Sequence, residues 1–151
     1  MPKPATVERL LAAEHRDRLV ADLVALIESQ VASAHGFSGL SLKTGLSMLK
    51  SSRPDILTRA MHRLLPDLAA ILENMHRTFT ARSAAGGDFS VFLERHAREL
   101  GEAIMTAADA RMESTTHPTA KSIYKRFRGA GEKQVRTAMP ALAKLLKPYL
   151  Q

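Results

Sequence analysis

The stretch that decides the fold is Pro54–Arg82, PDILTRAMHRLLPDLAAILENMHRTFTAR. Its apolar residues Leu57, Met61, Leu64, Leu68, Leu72, Met75 and Phe79 follow one another at intervals of three or four. An α-helix turns once every 3.6 residues, so these positions share one continuous face; a strand would need alternation by two. It is the longest apolar stripe in the chain, and it predicts the helix against which the others pack. Pro66 interrupts the pattern. Proline has no amide hydrogen for the helix ladder and bends the helix. At about 100° per residue Pro66 points away from the stripe, so the carbonyl of His62 that it frees can face water.

Before this stretch, a helix is predicted over residues 6–34. Thr6 would cap it, Glu8 and Glu14 would sit in its early turns, and a break is possible near Ala12–His15. Leu19, Val20, Leu23, Val24, Leu26, Ile27 and Val31 give it a wide apolar face, and Gly36 is expected to close it. The next segment, GFSGLSLKTGLSMLKSS (residues 36–52), carries Leu42, Leu46 and Leu49 as a narrow stripe flanked by Lys43 and Lys50. As an isolated peptide it resembles a cationic membrane-surface helix. Within a folded chain it reads as a short packed helix whose Gly39 and Gly45 allow close approach to a neighbour.

After it, Ala84-Ala85-Gly86-Gly87-Asp88 ends one helix and caps the next. That next helix is predicted over 89–112, and Glu94, Glu99, Glu102, Asp109 and Glu113 make it acidic. Pro118 opens a helix to about Arg128, Gly129-Ala130-Gly131 forms a hinge, and a last helix runs to about Leu146 around Pro140. The fold class is therefore all-α. Residues 1–151 form a single compact bundle of five to six helices, proline-kinked at Pro66 and at Pro140, with 117–151 as a basic helical pair.

Composition restricts function. The 151 residues contain no cysteine, which removes disulfides, thiolate metal sites and cysteine nucleophiles. The most apolar run, Leu19–Ile27, holds Asp22 and is too short to span a bilayer. The N-terminus lacks a signal-peptide core, so the chain reads as cytoplasmic and not as an integral membrane protein. The net charge is +7, and residues 117–151 hold eight Lys/Arg against Glu132 alone, whereas the preceding residues balance. The whole excess lies in the tail, where it bears on the partner rather than on the fold.

Catalytic constellations are sparse. Glu73-Asn74-Met75-His76 is one E-x-x-H sequence, but a di-metal bundle needs a second copy and two more inward glutamates. No metal and no cofactor is called for. His15, His35, His62, His76, His96 and His117 form no i, i+4 pair, and His96 is the one expected to be satisfied inside the fold. Gly129–Lys133 lacks the phosphate-loop spacing and follows no strand.

Lys43-x-Gly45, Lys50, Pro54, Leu64-Leu65-Pro66, Gly86-Gly87-Asp88-Phe89 and Thr106-Ala107-Ala108-Asp109-Ala110-Arg111 together resemble a family of small bacterial helical proteins of unknown function, best represented in actinobacteria. The resemblance covers about residues 10–145. It implies one compact helical domain and assigns no residue a role.

The candidate anion-binding residues are Lys121, Lys125, Arg128, Lys133 and Arg136, with the free amides at Gly131 and Glu132 beside them. The leading reading is a non-enzymatic interaction module that engages an acidic protein or itself. Its alternatives are nucleic-acid binding through the 117–136 patch, and binding of anionic lipid or an apolar ligand. Pairing of the acidic helix 89–113 with the basic tail would instead consume the charge within the fold, and an enzyme site assembled without sequence motifs is a further alternative.

Overall fold

A computed structural model describes residues 12–82 and 87–150. Those residues form six α-helices and no strand: α1 Ala13–Ser33, α2 Gly36–Ser52, α3 Ile56–Arg82, α4 Phe89–Arg95, α5 Ala97–Ser114 and α6 Pro118–Leu150. The fold is an all-α bundle. The proposed cap Thr6 and the breaker residues Ala84, Ala85 and Gly86 lie outside the described residues.

The decisive stripe is α3. Leu65, Leu68, Ala69 and Leu72 are its buried residues, while Leu57, Met61, Leu64, Met75 and Phe79 are half-buried on either side. Pro66 is exposed inside α3, and Pro140 is exposed inside α6, as their positions opposite the apolar faces require. The dense core joins Leu19, Val20 and Leu23 of α1 to the buried face of α3, Leu93 of α4, Leu100 of α5, and Met139, Leu142 and Leu146 of α6. Burying a leucine side chain stabilises by about 2 kcal/mol, so this cluster supplies most of the driving force for association of the helices.

α2 is built differently. None of its apolar side chains is fully buried, and none belongs to the core cluster. Leu42, Leu46 and Leu49 are only half-covered. Alongside these half-covered leucines, α2 makes two close approaches through glycine. A Cβ at Gly45 would lie 2.9 Å from the Phe127 ring of α6, and one at Gly39 would lie 2.5 Å from the Ala34 carbonyl group. Both glycines therefore play the role their spacing suggested.

Three boundaries differ from expectation. Gly36 does not close α1: Ala34 ends that helix in an extended conformation, and Gly36, at φ +74°, opens α2. The left-handed value suits glycine because it has no Cβ to clash. The predicted helix 89–112 is split at His96, which leaves helical geometry at φ −107°, ψ 31°. There its ring stacks on Phe92 at 4.0 Å, and Nδ1 donates to the Phe92 carbonyl oxygen at 2.9 Å. Neither glycine nor proline marks the break, and the His96 side chain holds it. Finally, Gly129-Ala130-Gly131 is no hinge, and 117–151 is not a helical pair. One helix of 33 residues runs through both glycines. Two glycines cost a helix about 1 kcal/mol each relative to alanine, and α6 offsets this by packing against α1, α2, α4 and α5.

The expected N-cap at Asp88 is present. Its carboxylate accepts from the Ser90 amide at 2.9 Å and from the Ser90 hydroxyl at 2.7 Å. Asp88 also pairs with Lys147 at 3.3 Å, and these bonds hold its carboxyl below the usual carboxylate range.

Candidate functional site

α3 and α6 are the two longest helices, yet no Cα of one comes within 8 Å of a Cα of the other. Packed helices run 8–10 Å apart, axis to axis. The N-terminal halves of α3 and α6 thus face each other across a gap that their side chains do not close. A cavity of about 370 Å³ occupies it. α1 and α5 form further walls, and α2 covers it with Leu42, Gly45, Leu46 and Leu49.

Small residues explain the space. Ala107, Ala108, Ala138 and Gly131 line it where leucine would fill it, and a methyl group at Gly131 would meet no atom within 4 Å. At the opposite end of the bundle Phe79, Phe89 and Phe92 cluster with ring centroids 5.3–6.0 Å apart. The aromatic cluster thus lies near α4 and the cavity under α2.

Among the described residues, Gln30, Tyr124, Arg128 and Gln134 are the polar side chains of the cavity wall. Each is bound to a neighbour. Gln134 donates to Gln30 Oε1 at 3.0 Å, which ties α6 to α1. Tyr124 donates to Asp109 at 2.6 Å. Arg128 grips Asp109 through two nitrogens, at 2.8 and 2.7 Å, and Glu132 at 2.9 Å. Arg136 completes the chain on Glu132 at 2.9 Å. The Arg128 guanidinium, then the Tyr124 hydroxyl, hold Asp109 down at about 2, so it is ionised at neutral pH. Burial, then the Asp109 carboxylate, push the Tyr124 phenol up, and Arg128 stays protonated. The wall is left with carbon surface and neutralised polar groups.

Only part of the candidate anion patch is free. Arg128 and Arg136 are held by Asp109 and Glu132. The Lys121 ammonium lies 3.4 Å from the Glu113 carbonyl oxygen, and Lys125 and Lys133 are exposed. Gly131 and Glu132 are mid-helix, so their amides are not the free amides of a helix start. The pairing of the acidic helix with the tail thus exists, concentrated at Asp109. His96 is satisfied within the fold, through Phe92.

Glu73 does not point freely into water, since one of its oxygens is buried without a hydrogen-bond partner. His76 meets the Phe89 ring at 4.9 Å. Among the described residues no cluster of His, Cys, Asp and Glu could hold a metal ion, and no helix is long and apolar enough to cross a membrane.

The cavity itself was beyond sequence reasoning. Its wall residues all have ordinary core spacing, and the only signal was the density of alanine and glycine in α5 and α6. No curated protein and no solved structure matches the chain. A family model does match it, over residues 7–150, and the protein therefore belongs to that family, the family of unknown function DUF6918.

Proposed function

We propose that the protein binds an apolar ligand in the cavity between α3 and α6. The supporting observation is the near-complete carbon lining of a 370 Å³ space in a 151-residue chain. Ligand sites of this kind are concave, mostly apolar and at least about 300 Å³. An engineered cavity of about 150 Å³ takes up benzene. By proportion this one suits on the order of fifteen carbon atoms, the scale of a fatty acyl chain. A ligand that binds the folded chain there would raise its apparent stability by mass action.

The sequence-level preference for an acidic partner gives way on charge. Two of its five candidate cations, Arg128 and Arg136, are already held by Asp109 and Glu132, so they are less available to a partner.

The test is titration with an environment-sensitive fluorescent fatty acid, alongside the variants Ala138→Leu and Ala108→Leu. Binding by wild type and a tenfold or greater loss in either variant is the expected result. Each leucine should also leave stability unchanged or raise it by about 1 kcal/mol, because it fills space. A loss of about 1–3 kcal/mol, the usual cost of overpacking, together with no probe binding by wild type, would overturn the reading.

A further inference from the structure

We propose that α2 is a membrane-docking helix, in which Phe37 and Leu40 insert into an anionic bilayer while Lys43 and Lys50 meet lipid phosphates. Its part in ligand exchange rests on the cavity reading above; the docking itself does not.

The two sides of α2 carry separate roles. At about 100° per residue, Leu42, Gly45, Leu46 and Leu49 share the side that lines the cavity. Phe37, Leu40 and Met48 fall on the other side, with Thr44, Ser47 and Ser51 between them. Phe37 is 92% exposed and Leu40 63%. They are the two most exposed large apolar side chains among the described residues, and they lie three apart on one turn. Lys43 and Lys50 flank this face. Lys43 is exposed with no ion pair among the described residues, and Lys50 is tied only to Glu28. On α6, Arg126 lies over the Phe127 ring that abuts Gly45, which places a further cation beside α2.

Size and charge select the occupant. Phe37, Leu40 and the less exposed Met48 are the large apolar side chains of a face otherwise made of Thr44, Ser47 and Ser51, whereas a stable protein interface needs an apolar centre within a patch of roughly 800 Å² per side. A bilayer has no such threshold, because a few inserted side chains and a few lysines near phosphates act together. Lys43, exposed and without an ion pair among the described residues, favours an anionic surface on this face. Placement adds the third reason. The groove holding Lys43 and Lys50 shares Val31 and Leu46 with the cavity wall, so the docking side and the cavity are contiguous. Because α2 contributes nothing to the dense core, it can shift outward without opening that core.

The experiment is co-sedimentation with phosphatidylcholine vesicles, with and without 30% phosphatidylglycerol, for wild type, Phe37→Ser/Leu40→Ser and Lys43→Glu. Each variant is also checked for unchanged melting and for fluorescent fatty-acid binding in the absence of vesicles. Wild type is expected to prefer the anionic vesicles at least tenfold. The double variant should lose at least tenfold, and Lys43→Glu at least about fivefold. Failure of wild type to sediment, or equal sedimentation of wild type and both variants, overturns the proposal. So does a dimer in sedimentation velocity that disappears in the double variant without any vesicle binding. Vesicle binding that depends on Phe37 and Leu40, with no fatty-acid uptake, would retain docking and remove the cavity reading instead.

Discussion

Asp109 and Tyr149 are the side chains whose hydrogen bonds should tie the stability of this fold to pH. Asp109 accepts from Arg128 and Tyr124, and its carboxyl is lowered to about 2. A carboxyl held below its unfolded value of about 3.9 contributes its full stability above that value and loses it as the pH falls toward 2. Melting temperature should therefore drop between pH 4 and 2, and Asp109→Asn should melt lower at pH 7 and show a shallower acid slope. Asp109 is over a third exposed, so solvent screening makes the effect modest. At the other end, burial, then a 2.6 Å bond to Asp22, push the Tyr149 phenol up to about 12. Its contribution is complete below pH 10 and disappears as the pH rises through 12. Tyr149→Phe should flatten the alkaline limb of the same melting curve. An unchanged limb would mean that another group controls it.

The elements carry a different kind of prediction. Two helices were expected to meet at Gly129-Ala130-Gly131, and α6 instead runs through it unbroken. Both glycines are helical, neither has a positive φ, and a Cβ at either would meet no atom within 4 Å. Replacing each with alanine should raise unfolding free energy by about 0.5–1 kcal/mol, measured by urea denaturation. Destabilisation would show that the helix has to yield there. Gly39 and Gly45 predict the reverse. Their missing Cβ atoms make room for the Ala34 backbone and the Phe127 ring, so alanine there should loosen α2 while leaving α3–α5 intact. Four glycines in helices thus have two opposite meanings. The residue type alone does not distinguish them, because the distinction lies in what a neighbouring helix brings to the site.

At the scale of the molecule, part of the basic tail is already paired, because Arg128 and Arg136 hold Asp109 and Glu132. Binding of a generic DNA duplex falls with salt at a logarithmic slope of about −0.9 per neutralised phosphate. If Lys121, Lys125 and Lys133 are the side chains that reach phosphates, any duplex binding should show a slope of at most about −3. A slope near −4.5 would mean that Arg128 and Arg136 leave Asp109 and Glu132 to join them. Lys125→Glu/Lys133→Glu is the informative variant for this measurement, since changing Arg128 would also break the contact between α5 and α6.

The chain's own pattern determined much of this. The spacing from Leu57 to Phe79, the cap at Asp88, the helix start at Pro118, and the exposed Pro66 and Pro140 are all local in origin. Helix period and backbone sterics act over a few residues, so they can be read from a few residues. Tertiary structure decided the rest. The continuity of α6 depends on four helices that pack along it. Arg128 is paired because α5 brings Asp109 to it. The cavity exists because alanines of α5 and α6 face leucines of α3 across a gap that is set by the helix axes. Such spacings sum contributions from residues far apart in the chain, and no short window of sequence contains them.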